Sequence, residues 1–175
     1  GNLEITYRAS GYYDRRVAEL RERLRRNAGD REARWELARA YAALGHTDEA
    51  VAEFDALLAW HPDDIPALLQ LGLAEKARGR VEVAEEWFRR AAEQDPDSPV
   101  ALFYYGEALY NRGLNEAALE TLLSAARAGD ANAAELGMQM SGDLWMYWHV
   151  RGKNVTAREV ATSFLDAGSP VPATV

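Results

Sequence analysis

The sequence contains no cysteine. That excludes a disulfide framework and any thiolate metal site, and it leaves the redox compartment unreadable. Histidine is scarce, with three residues in the chain, His46, His61 and His149. None of them stands in the HExxH spacing that places two imidazoles on one helical face. No GxSxG, Walker-type or GxGxxG stretch occurs, so the usual nucleophile and phosphate-binding devices are missing. No apolar run approaches the roughly 20 residues needed to span a bilayer, and the N-terminus lacks the charged-then-apolar order of a signal peptide. Positive charge is not in excess either. The formal net charge of −8 disfavours unspecific attraction to nucleic acid or anionic lipid. Lysine supplies only 2 of 20 basic residues, and with the heavy use of Ala, Arg and Leu this points to a high-GC bacterial genome. The chain starts at Gly1 rather than methionine, so a processed or trimmed start is expected. The compartment stays open between the cytoplasm and, were a targeting segment removed, the periplasm.

What is present is a repeat. At 175 residues with 48% hydrophobic and 27% charged side chains, the chain has the balance of a soluble folded protein with one sizeable core. Three stretches recur with a period of 34 residues, Arg31–Asp64, Ile65–Ser98 and Pro99–Asn132. In each, apolar residues return at three- and four-residue steps on both sides of a turn glycine, at Gly45, Gly79 and Gly113, which predicts two helices per unit and no sheet. Small residues recur where paired helices approach closely: Ala38, Gly72 and Gly106 on the first helix, Ala50, Ala84 and Ala118 on the second. Leu37, Tyr41, Phe54, Leu71, Phe88, Tyr105, Leu109 and Leu122 fill the space around them. Pro62 and Pro96 end second helices, and Asp63, Asp64, Asp97 and Ser98 are then available as caps.

This order of aromatic, Leu-small, tyrosine, turn glycine, small, aromatic, small and proline resembles the tetratricopeptide repeat family over about 100 of the 175 residues. The resemblance implies an all-α, right-handed solenoid of helix-turn-helix units. Departures are visible. Trp35 lies one place late, with Arg34 in the aromatic slot; Glu75 replaces a large residue; Asp130 closes the third unit in place of proline. The flanks read as end pieces. Residues 1–11 (NLEITYRAS within them) are expected to form an extended arm. Residues 12–30 hold a capping helix, the second half of a truncated repeat, with Val17, Leu20 and Leu24 on one face. Residues 133–167 form a divergent helical pair turning at Gly152, and 168–175 form a tail. Terminal units of a solenoid need such different outer faces.

The titratable candidates read as structural. His46 falls at a turn and His61 precedes Pro62; the pairs Glu85–Glu86, Asp63–Asp64 and Asp95–Asp97 fall on outer helix faces or in caps. No catalytic residue, metal site or cofactor is therefore expected, and the chain is not read as an enzyme. The family resemblance implies instead that first helices line a binding groove through the fifth, ninth and twelfth positions of each unit. Here these are Trp35, Arg39 and Ala42; Leu69, Leu73 and Lys76; Phe103, Glu107 and Tyr110. Steps of four and three put each trio on one helical face. The Lys/Asn/Arg clamp by which some family members hold chaperone tails is missing, since Trp35, Arg39, Gln70, Val100 and Tyr104 stand in its places. An apolar helical or extended segment of another protein is the expected ligand. The run Leu144 to Trp148 is too bulky to face one core; it is expected to pack between the third repeat and the last helix, with Trp145, Tyr147 and Trp148 as a second candidate contact, for a homodimer or a ligand. The alternative function is an assembly module whose groove is filled by its own termini or a second copy. A non-catalytic part of a larger enzyme is a third reading, requiring catalytic residues in a neighbouring domain.

Overall fold

The computed structural model describes residues 11–143 and 154–168. Among the described residues the chain is all-helical, with nine helices and no strand. They are α1 (Tyr12–Arg26), α2 (Arg31–Leu44), α3 (Thr47–Trp60), α4 (Ile65–Ala77), α5 (Val81–Gln94), α6 (Pro99–Asn111), α7 (Asn115–Arg127), α8 (Ala131–Asp143) and α9 (Asn154–Gly168). The chain divides into two compact units, residues 1–80 and 81–175.

In the first unit, α1 packs on α2, α2 on α3 and α3 on α4. Helix starts are set by side-chain caps. Asp30 accepts from the Ala33 amide at 2.9 Å and Asp64 from the Ala67 amide at 3.1 Å, each satisfying an amide that has no partner within its own helix. The turn between α2 and α3 is closed at Gly45, whose φ of 81° suits only a residue without a Cβ. There the Gly45 N–H donates to the Ala42 carbonyl at 3.1 Å and the His46 N–H to the Tyr41 carbonyl at 2.9 Å. This is the paired-bond ending that satisfies the last carbonyls of a helix. Leu20, Leu37, Ala38, Tyr41, Ala50 and Phe54 are all buried, so the small and large positions expected from the repeat do meet in a core.

In the second unit, α6 packs on α7 and α8 on both α7 and α9. Ser98 caps α6 through the Ala101 amide at 3.4 Å. The residue that replaces the closing proline of the third repeat turns out to be a cap as well: Asp130 accepts from the Ala133 amide at 2.9 Å and starts α8 at Ala131. Gly129, at φ 101°, ends α7 with the same pair of backbone bonds seen at Gly45, from Gly129 N–H to Ala126 and from Asp130 N–H to Ala125, both at 3.0 Å. Capped at Asp130, α8 begins two residues before the expected Ala133. The following helix, expected over 156–167, is α9. Helices α8 and α9 belong to this unit's core: Phe164 and Met140 are buried with Leu109, Ala118, Leu122 and Ala125. Tyr105, expected among the core fillers, is only half-buried. The N-terminal arm, the turn at Gly152, the aromatic run 144–148 and the tail 169–175 lie outside the described residues.

Two close approaches hold this unit together. A Cβ on Gly106 would stand 2.7 Å from Leu122 Cγ, and one on Gly137 would stand 2.1 Å from Phe164 Cε1. Glycine is a poor helix former, and its presence mid-helix is explained by the side chain that fills its place. Gly142, also in α8, has nothing within 4 Å of its Cβ position. Gly106→Ala is thus expected to destabilise by about 1–3 kcal/mol through overpacking, whereas Gly142→Ala should stabilise by about 0.5–1 kcal/mol. Urea denaturation midpoints that move in opposite directions would show this; equal shifts would mean that the α6–α7 approach is not tight.

Candidate functional site

The three first-helix faces differ in how much of each side chain remains available. On α2, Arg39 and Ala42 are exposed and Trp35 is half-buried. Its ring stands edge-on to Phe54 of α3, centroids 5.2 Å apart, a favoured aromatic geometry. The late position of this tryptophan is made possible by Arg34, which takes the family's aromatic slot and satisfies its charge locally. One Nη donates to Glu53 Oε2 of α3 at 2.9 Å and the other to the Ala28 carbonyl at 3.0 Å. On α4, Leu69, Leu73 and Lys76 are all half-buried. On α6, Phe103, Glu107 and Tyr110 are half-buried, and Phe103 and Tyr110 lie against the cluster that contains Leu122, Met140 and Phe164. These aromatics therefore support the core with one edge while the other stays accessible. A periodicity argument assigns a position to one face or the other, and large rings reach both.

The titratable residues are tied into structure. His46 is exposed at the N-cap of α3, its ring stacked on Tyr41 at 6.2 Å; His61 is exposed at the C-cap of the same helix; His149 lies outside the described residues. Asp64 is buried, capping α4 and pairing with Arg31. Glu86 and Asp97 are exposed, and the Glu86 carboxyl is held below its usual range by the Arg89 guanidinium, 2.6 Å away. Glu85 is not the solvated outer-face charge expected of it. It is half-buried and accepts from Arg112 at 2.7 Å, so it crosslinks α5 to the end of α6 and raises the Arg112 pKa. Burial, with a smaller contribution from Glu85, pushes the Tyr105 hydroxyl upward.

Glu75, which stands where the repeat calls for a large residue, is buried between two arginines. Arg78 donates to its Oε1 at 2.9 Å, and Arg80 Nε sits 2.6 Å from Oε2, a close charge contact without the angle of a hydrogen bond. Arg78 also pairs with Asp48 of α3. The carboxylate is thereby neutralised in place, as a buried charge must be. Among the described residues no group of three or more His, Asp or Glu could hold a metal ion, and no helix is long and apolar enough to cross a membrane.

The sequence model of the tetratricopeptide repeat matches residues 6–65, 36–99 and 69–133, overlapping windows that take in α1 to α7. The chain belongs to the tetratricopeptide repeat family. Its fold is shared with solved structures of MamA. One, "Crystal structure of MamA", superposes with a TM-score of 0.69 at 15% identity over 94% of this chain and 93% of the other. A second, "MamA 41-end from Desulfovibrio magneticus RS-1", gives 0.69 at 19% identity over 95% and 91%. A third, "MamA AMB-1 P212121", gives 0.67 at 21% identity over 97% and 91%. Among curated proteins none matches the chain by sequence. Tetratricopeptide repeat chains are in general protein-interaction scaffolds rather than catalysts, and this chain has that architecture.

Because Trp35 packs on Phe54 while Arg39 reaches into solvent, the two should respond differently to truncation. Trp35→Ala is expected to lower stability by about 1–3 kcal/mol and Arg39→Ala by less than about 0.5 kcal/mol. Thermal unfolding followed by circular dichroism checks this, and an equal, small effect of both would place Trp35 outside the core.

Proposed function

We propose that the chain is a tetratricopeptide repeat scaffold that holds an apolar helical or extended segment of a partner protein against its first-helix faces. The observation that supports this is the recurrence, at equivalent positions of α2, α4 and α6, of large apolar side chains left half-buried: Trp35, Leu69, Leu73, Phe103 and Tyr110. Repeat positions facing only water rarely keep such side chains together, and aromatic anchors of this kind carry much of the energy of peptide binding. Arg39, Lys76 and Glu107 stand beside them as polar groups that set orientation, and Ala42 leaves room for a side chain to enter. A second copy of the chain as the bound segment is a narrower version of the same reading. The related reading, a face covered by the chain's own residues, is supported on α6, where Phe103 and Tyr110 share a cluster with Phe164 of α9. Trp145, Tyr147 and Trp148 belong to the second-copy version as a second contact.

Peptides selected against the immobilised chain by phage display provide the test. Selected binders should be rich in apolar residues, and their affinity should change little with salt. Ala42→Glu, at an exposed position that folding does not need, should weaken them by about tenfold, roughly 1.4 kcal/mol. Arg127→Glu, on an exposed site of α7, should leave them unchanged. Selection of binders that ignore Ala42→Glu would remove the first-helix faces from consideration. Sedimentation of the unliganded chain separates the two versions, since a dimer that dissociates on adding the selected peptide identifies the second copy as the occupant.

A further inference from the structure

The same cleft occurs twice in this chain, two repeat lengths apart, with different chemistry. Within residues 1–80, an open cleft of about 500 Å³ is lined by Arg21, Leu24, Arg25, Arg34, Leu37 and Glu53, from α1, α2 and α3. Within residues 81–175, a cleft of about 350 Å³ is lined by the residues 68 positions further on, among them Arg89, Ala92, Glu93, Leu102 and Tyr105. The two clefts occupy equivalent repeat positions, so their side chains can be compared position by position.

Several of the differences between the clefts concern charge. Arg89 is held by two carboxylates of its own helix, Glu86 at 2.6 Å and Glu93. In the first cleft its counterpart is Arg21, and the residues standing where Glu86 and Glu93 would be are Ala18 and Arg25. Arg21 consequently forms no ion pair among the described residues; its guanidinium rests over the ring of Tyr41, 5.5 Å from the centroid. Arg25 is exposed, and its contact is with Glu22 of the same helix at 2.7 Å, a surface pair of little energetic weight that a better partner can displace. Arg34 is already matched by Glu53. Two unsatisfied or weakly satisfied guanidiniums thus stand beside the half-buried Leu24, with the buried Leu37 beneath.

The charge of the whole chain follows the same division. Residues 11–44 carry nine arginines against six carboxylates, whereas residues 45–175 carry ten basic side chains against twenty-one acidic ones. A basic region confined to one end of an acidic protein attracts a short acidic segment locally. The overall charge of −8 repels an extended anionic surface such as a lipid bilayer.

We infer that the cleft of α1, α2 and α3 is a second docking seat, for an acidic polypeptide segment that carries a leucine or similar apolar side chain among its carboxylates. The guanidinium forks of Arg21 and Arg25 take the carboxylates, for which their geometry is suited, and the half-buried Leu24 receives the apolar side chain. None of these residues belongs to the first-helix trios, so the two sites stand or fall separately.

The probe is a short fluorescein-labelled peptide repeating Asp-Glu-Leu-Ser, followed by fluorescence anisotropy with the full chain. It should bind, weaken as NaCl is raised, and weaken by about tenfold or more with Arg21→Glu/Arg25→Glu. Serine in place of its leucines should also weaken it, while Ala42→Glu should not. Circular dichroism establishes that the double variant, altered only at exposed positions, is folded. The inference is overturned if the double variant binds as well as the parent, or if a Lys-for-Asp/Glu peptide binds equally. It is likewise overturned if phosphatidylserine vesicles retain the chain through these arginines while the peptide does not. Self-association abolished by the double variant, without peptide binding, would assign the cleft to a second copy instead.

Discussion

The helix pairs of the second unit depend on how near two backbones can come. At Gly106 the approach is so tight that a single methyl group would collide with Leu122, and at Gly137 it would collide with the ring of Phe164. Each large side chain fills the volume that a Cβ would otherwise occupy, and dense packing of this kind supplies the contacts that offset the conformational entropy of ordering short helices. Helices of 13 residues such as α6 and α7 are marginal alone. Their stability comes from the face each presents to its neighbour, so the small-to-large pairing is the condition on which the caps, turns and exposed faces rest.

In the first unit the chain places charge where the repeat calls for bulk. Arg34 stands in an aromatic slot and Glu75 in a large apolar one, and both are answered by partners within reach: Glu53 and the Ala28 carbonyl for the first, Arg78 and Arg80 for the second. A buried ion pair seldom stabilises more than an apolar pair of the same volume, but its loss on one side is costly because it leaves a charge without solvent or partner. Such substitutions constrain geometry more than they add stability. The pairing of Arg34 with Glu53 satisfies the charge that stands in the aromatic slot, beside Trp35, which packs on Phe54.

A scaffold of this kind works by presenting side chains without moving them. In the proposed mode of binding, the half-buried state of Trp35, Phe103 and Tyr110 would serve that end, because an aromatic ring held along one edge by the core has little rotamer freedom left to lose. The basic cleft of α1 to α3 offers the complementary chemistry, charge beside the half-buried Leu24. A partner that engages both surfaces would gain from the linkage of the two contacts.

Much of this was legible in the residues alone. The period of 34, the turn glycines and the small positions specified helix pairs, because helical periodicity and positive-φ turns are local properties that a sequence carries in its spacing. Other features required the folded chain. Asp130 reads as a missing proline until its carboxylate is seen capping α8; Glu85 reads as a surface charge until Arg112 reaches it from the next helix. That Phe103 and Tyr110 also pack against a cluster containing Phe164, more than 50 positions away, shows only in the folded chain. The reason is common to all three. Which face a residue shows follows from helical spacing, but how deeply it is covered depends on neighbours brought in from distant parts of the chain, and that information exists only once the chain has packed.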